Sequence, residues 1–174
     1  MIHSRGLIFE AKGVVRSRRV ASGAAETKRT RMVEVKFSDA KPGEFECYMS
    51  IFGNEDEGGD VVAPGAFKGT LAEHKAAGTM PKMLLNHGSQ GGMIADPMAD
   101  LPIGVWRDIS EDSKGLYSCG RLISLDTDRG KSIYGAVKEG ALDGVSIGYR
   151  TSEFTLGARA NEPRRTLKAV HLIE

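Results

Sequence analysis

Several things are scarce in this chain, and each scarcity removes a class of protein. Only two cysteines, Cys47 and Cys119, occur among 174 residues. Neither belongs to a C-x-x-C pair, which argues against a disulfide-stapled secreted scaffold and a cysteine zinc site. Each sits in an alternating run, so two reduced thiols in a reducing compartment are expected. No stretch reaches the roughly 18 consecutive apolar residues of a membrane span, and no secretory h-region is present, so neither insertion nor export is expected. A formal net charge of +1 gives no global attraction to nucleic acid or bilayer. Histidine is limited to His3, His74, His87 and His171. Without H-x-x-x-H spacing these predict no metal centre, and no cofactor motif is present. The acidic loop holding Glu55, Asp56, Glu57 and Asp60 lacks EF-hand spacing and reads as solvated.

What charge there is lies unevenly. Residues 1–31 hold eight basic side chains, among them Arg16, Arg18, Arg19, Lys28 and Arg29, against Glu10 and Glu26. Such a segment, poor in large apolar residues, reads as a solvated, poorly ordered arm rather than a nucleic-acid contact. The remainder, 32–174, suits one globular domain, because 40% hydrophobic residues suffice for a single core. Alternation predicts strands over Met32–Phe37, Glu44–Phe52, Ile103–Ile109, Gly115–Ile123, Ile147–Thr151 and Thr166–Glu174. A short apolar run, Lys82–Asn86, reads as a buried strand ending at His87. Helices are expected over Ala66–Ala77 and Thr127–Glu139, the second with Asp126 as N-cap and Gly140 as its stop. Strands outnumber helices and no βαβ rhythm is present. The expected fold is mostly β, an antiparallel barrel with a few flanking helices.

Against that background Gly144-Val145-Ser146-Ile147-Gly148 matches G-x-S-x-G, the setting of an exposed serine nucleophile on a sharp turn. With 22 glycines in the chain the match alone is weak, and a helix before it with a strand after it inverts the α/β-hydrolase order. The competing reading is that Ser146 serves turn geometry, as small residues between glycines do. Among the histidines, His87 ends an apolar run before Gly88 and Gly91-Gly92, leaving its ring open to a substrate. His171 lies within the apolar strand Leu167–Ile173, where a satisfied core group is the usual reading. Glu174, three residues on, would face the other side of a regular strand.

These residues, together with Ser50-Ile51-Phe52-Gly53, Gly59-Asp60-Val61-Val62-Ala63-Pro64-Gly65-Ala66-Phe67, Asn86-His87, Pro102-Ile103-Gly104 and Glu111-Asp112-Ser113-Lys114-Gly115-Leu116, closely resemble the HK97-type phage prohead maturation proteases. The resemblance runs from about Cys47 to Glu174. It implies a fold shared with the herpesvirus assembly proteases, and a serine endopeptidase that cleaves capsid or scaffold protein, and itself, inside the assembling procapsid of an infected cell. It further implies Ser146 as nucleophile, His87 as general base and His171 as third member; many phage relatives carry an acid at the His171 position, and Glu174 is the fallback. A homodimer is implied by the herpesvirus likeness. The family pattern continues past Glu174 through another strand, so a truncated domain with part of its oxyanion hole missing is expected. A nonenzymatic capsid-assembly or scaffold-binding component on the same fold, and an unrelated esterase, are the competing readings. If His87 is the base, activity should rise with pH as the imidazole loses its proton.

Overall fold

The computed structural model describes residues 18–19, 26–31, 33–38, 41–56, 58–88, 98–142, 144–159 and 161–174. Nine strands and two helices follow one another as β1 (Arg18–Arg19), β2 (Glu26–Arg31), β3 (Val33–Phe37), β4 (Glu44–Ile51), β5 (Asp60–Val62), α1 (Lys68–Ala77), β6 (Gly104–Glu111), β7 (Gly115–Leu122), α2 (Asp128–Lys138), β8 (Gly144–Leu156) and β9 (Arg165–Leu172). They build two sheets. One is ordered β1-β8-β9-β5 with β2 also paired to β8, and the other is ordered β3-β4-β7-β6. All pairings are antiparallel except that of β5 with β9.

The alternation read from sequence is clearest in β7, which has one face against the core. In β7, Leu116, Ser118, Gly120 and Leu122 are buried, and between them Tyr117 and Cys119 are half-buried and Arg121 exposed. Beside them in the same sheet lie Cys47 and Met49 of β4, and the core closes around Phe67, Ile147, Tyr149, Leu167 and Leu172. Gly120 has a packing reason: a Cβ there would lie 2.8 Å from the Met83 methyl and 2.9 Å from the Trp106 ring.

The expected closed barrel is not formed among the described residues. At one seam the chain passes from β2 in the first sheet into β3 in the second, a corner without a ladder between them. At the opposite seam, β5 and β6 do not pair. There the turn leading into α1 bridges the gap, its Gly65 and Phe67 amides donating to the Glu111 carboxylate at 3.1 and 2.7 Å. That carboxylate also replaces the missing side-chain cap of α1, whose N-cap Phe67 has none.

Other expectations shift. The segment read as a strand over Lys82–Asn86 makes only an isolated bridge, Met83 to Gly104. Asn86, His87 and Gly88 take φ of 50°, 60° and 60°, and consecutive left-handed residues cannot extend a strand. The cap of α2 is Thr127, whose Oγ1 accepts from Gly130 N, rather than Asp126. Strand β5 was not read, its three residues being too few for a periodic signal. Of the basic segment read as an arm, Arg18–Arg19 and Glu26–Arg31 pair along β8; the rest of it lies outside the described residues. Both cysteines are free, Cys47 buried and Cys119 half-buried. Among the described residues no helix is long and apolar enough to cross a membrane.

Candidate active site

Ser146 is the third residue of β8, in extended backbone rather than on the sharp turn its sequence suggested. Its backbone pairs with Arg29 of β2 on one side, while on the other the β9 ladder begins only at Tyr149. A serine there is held by a ladder on one side, in the extended stretch of β8 just before β9 joins it.

His87 comes from the loop between α1 and β6. That loop is pinned by Lys82 N to Ile173 O at 3.2 Å and by Ile103 N to Met83 O at 2.9 Å, and turned by Gly88 N to Leu85 O at 3.0 Å. Left-handed backbone at Asn86 and His87 costs about 1–3 kcal/mol per residue, and such strain persists where surrounding structure over-determines it. Here it carries the imidazole back over β8.

The outcome is a continuous hydrogen-bonded chain. Ser146 Oγ lies 2.5 Å from His87 Nε2, and His87 Nδ1 lies 2.9 Å from Glu174 Oε1. A carboxylate can only accept, so Nδ1 carries the proton and donates, which leaves Nε2 to accept from the serine hydroxyl. The His87 and Glu174 side chains are only 20% and 11% exposed, so this charge-assisted bond is sheltered from solvent screening. The arrangement can take a proton from Ser146 and stabilise the resulting imidazolium.

His171 is not in this chain. Its Nδ1 faces Glu73 Oε2 at 3.2 Å, and its ring stacks on His74 at 6.3 Å between centroids. Of the two candidates for third member, the structure brings Glu174, the fallback, to His87 and places His171 elsewhere. The face argument explains why: on β9 His171 is turned toward α1, and Glu174 reaches the other side. His74, read as a solvated surface group, has both ring nitrogens engaged, Nδ1 with Thr79 Oγ1 at 2.9 Å and Nε2 with Leu172 O at 3.2 Å. A carbonyl accepts, so Nε2 donates.

That contact belongs to a row the sequence did not reveal. Past β5, the outer edge of β9 is covered by residues four apart around α1: Val170 N donates to Ala66 O, Leu172 N to Thr70 Oγ1 and His74 Nε2 to Leu172 O. A helix face at i, i+4, i+8 thus caps a sheet edge just before Glu174.

Ser146, His87 and Glu174 open on a shared cavity of about 500 Å³, whose walls include Phe45, Met49, Met83, Trp106 and Leu142. The lining is mostly apolar. Among the described residues no three His, Cys, Asp or Glu side chains converge as metal ligands would.

With this geometry in view, three comparisons bear on identity. The solved structure of the bacteriophage T4 capsid assembly protease matches with a TM-score of 0.59 at 14% identity, covering 86% of this chain and 92% of that one, a likeness of fold alone. The prohead protease of Enterobacteria phage HK97 is 36% identical over 123 residues, 69% of this chain and 48% of that protein. The chain thus spans about half the length of this curated relative. A family model described as caudovirus prohead serine protease matches residues 30–174, and the chain belongs to that family.

Proposed function

We propose that this chain is a serine endopeptidase that cleaves scaffold or capsid-protein segments, and itself, during prohead maturation within the assembling procapsid. The observation that carries this reading is the hydrogen-bonded chain from Ser146 through His87 to Glu174, in a member of a prohead protease family.

In this mechanism Ser146 Oγ attacks the substrate carbonyl carbon as His87 Nε2 takes its proton. Glu174 holds the Nδ1 proton, fixing tautomer and ring orientation, and its charge stabilises the imidazolium. Nε2–H then protonates the leaving amine as the C–N bond breaks, giving an acyl-enzyme on Ser146. Water, deprotonated by the same nitrogen, releases the acid and restores the serine. The largely apolar cavity beside Ser146 suits an extended peptide that buries apolar side chains next to the bond cut.

The test is cleavage of the cognate capsid or scaffold protein by the wild-type chain and by Ser146→Ala, resolved by mass spectrometry. Discrete cleavage abolished by the alanine is the expected result. Cleavage that survives Ser146→Ala, or its absence in a folded wild-type chain, would sink the reading. In the second case, retained binding to the shell protein would favour an assembly role without catalysis.

A further inference from the structure

Gly148, the last residue of the G-x-S-x-G run, has no conformational reason to be glycine, since it is not among the residues with positive φ. Glycine inside a strand weakens it, and marks a bulge or a close approach. Both apply here. Ile173 N and Glu174 N each donate to Gly148 O, at 2.8 and 3.2 Å, and Gly148 N donates to Glu174 O at 3.0 Å. Two residues therefore oppose one, which is a β-bulge, and bulges re-aim side chains.

The space left by the missing Cβ is filled. A Cβ built on Gly148 would lie 2.5 Å from Glu174 Cγ, 2.6 Å from Oε1 and 3.0 Å from Cδ, its three nearest atoms. Oε1 is the atom that accepts from His87 Nδ1. We infer that Gly148 is a positioning residue: its bare backbone is the slot in which the Glu174 carboxylate lies against His87, and any side chain there would push that carboxylate off the imidazole. The inference rests on the reading of Ser146, His87 and Glu174 as a proton-transfer chain.

The displaced atoms, Glu174 Cγ and those beyond it, belong to a flexible side chain rather than to backbone. An alanine at 148 would thus be accommodated by rotation of Glu174, with little loss of fold. Gly130 is the contrast, because a Cβ there would meet Ser124 O at 1.9 Å and the backbone would have to move. The motif glycine thereby acts on the general base through the third residue and not through the serine.

The experiment uses a fluorophosphonate, which phosphonylates an activated serine whatever the peptide specificity, with Ser146 labelling followed by intact mass. Gly148→Ala should melt within a few degrees of wild type, yet label at least about tenfold more slowly, as Glu174→Gln should. The double variant should be no slower than Glu174→Gln by more than about twofold, because the second change has nothing left to displace. The pH–rate profile of Gly148→Ala should likewise match that of Glu174→Gln. Wild-type labelling by Gly148→Ala beside a slowed Glu174→Gln, or losses that multiply in the double variant, would overturn the inference.

Failure of the underlying reading looks different. Glu174→Gln would then label at the wild-type rate, or the folded wild type would not label at all. In either event the His87 Nδ1 proton resonance decides the positional claim alone. Its downfield shift in wild type should be lost in Gly148→Ala, and its persistence there would refute the displacement.

Discussion

Glu174 reaches His87 through one oxygen, Oε1, and that makes its proposed contribution measurable. Glu174→Gln keeps the shape but offers the imidazole a neutral partner that can hold the wrong tautomer, so substrate cleavage should fall by roughly 10²- to 10⁴-fold. His171→Ala should leave cleavage within about twofold, since its ring is 45% exposed and its carboxylate partner 68% exposed, where ion pairs contribute little. Kinetics of the two variants side by side check this, and equal losses would restore His171 to the site. The sequence nominated Ser146 and His87 because a bracketed serine and a histidine at the end of an apolar run are local patterns. It put His171 ahead of Glu174 because that order came from the resemblance, whereas the bonds from Ile173 and Glu174 to Gly148 that bring the carboxylate to His87 are long-range pairings.

Among the elements, α1 governs how β9 is held. Thr70 is 2% exposed and its Oγ1 accepts from Leu172 N at 3.1 Å. Thr70→Val keeps the shape and orphans that buried amide, for a loss of about 1–3 kcal/mol, measurable by urea unfolding. Because Leu172 is two residues from Glu174, fluorophosphonate labelling of Ser146 should slow as well. A stable variant labelling at the wild-type rate would show that α1 only covers the edge. The helix itself was legible from apolar spacing, and Gly78, with φ of 64°, ends it. Its polar stripe of Thr70 and His74 was not, because polar residues on a helix ordinarily face water and nothing in the sequence indicates a strand edge to satisfy.

Across the whole molecule, stability should fall at high pH. Burial pushes the Cys47 thiol above its ordinary value of 9.0. The bond from Tyr48 to Asp112 raises its phenol above 10.0, and Tyr117 is raised by its contacts with Cys119 and Glu46. In each case the folded protein holds the proton more tightly than the unfolded chain does. That contribution is complete below the unfolded values and lost as pH rises through the folded ones. Melting temperature should therefore hold between about pH 7 and 8.5 and drop above about pH 9, with Cys47→Ala flattening the first part of the drop. Calorimetry across that range tests it, and an unchanged slope in the variant would remove Cys47 from the account. Within the first sheet, Asp60 is 3% exposed and accepts from Arg164 Nη2 and from Arg165 Nε and Nη2, tying β5 to β9. Asp60→Ala should cost about 3–5 kcal/mol by leaving Arg165 uncompensated.

By itself the sequence determined the strand-rich class and both helices to within a residue or two, and it nominated Ser146 and His87, which the fold brings within hydrogen-bonding distance. All of these follow from local patterns of polarity, glycine and capping that act over a few residues. Tertiary structure alone decided that two sheets meet at a corner and a helix turn instead of closing, that His87 sits on left-handed backbone and that Glu174 rather than His171 meets it. Those outcomes depend on which backbone edges remain unpaired once the chain is compact. The groups that satisfy them, Glu111, Thr70, His74 and the bare face of Gly148, are brought to those edges by the fold and not by their neighbours in sequence.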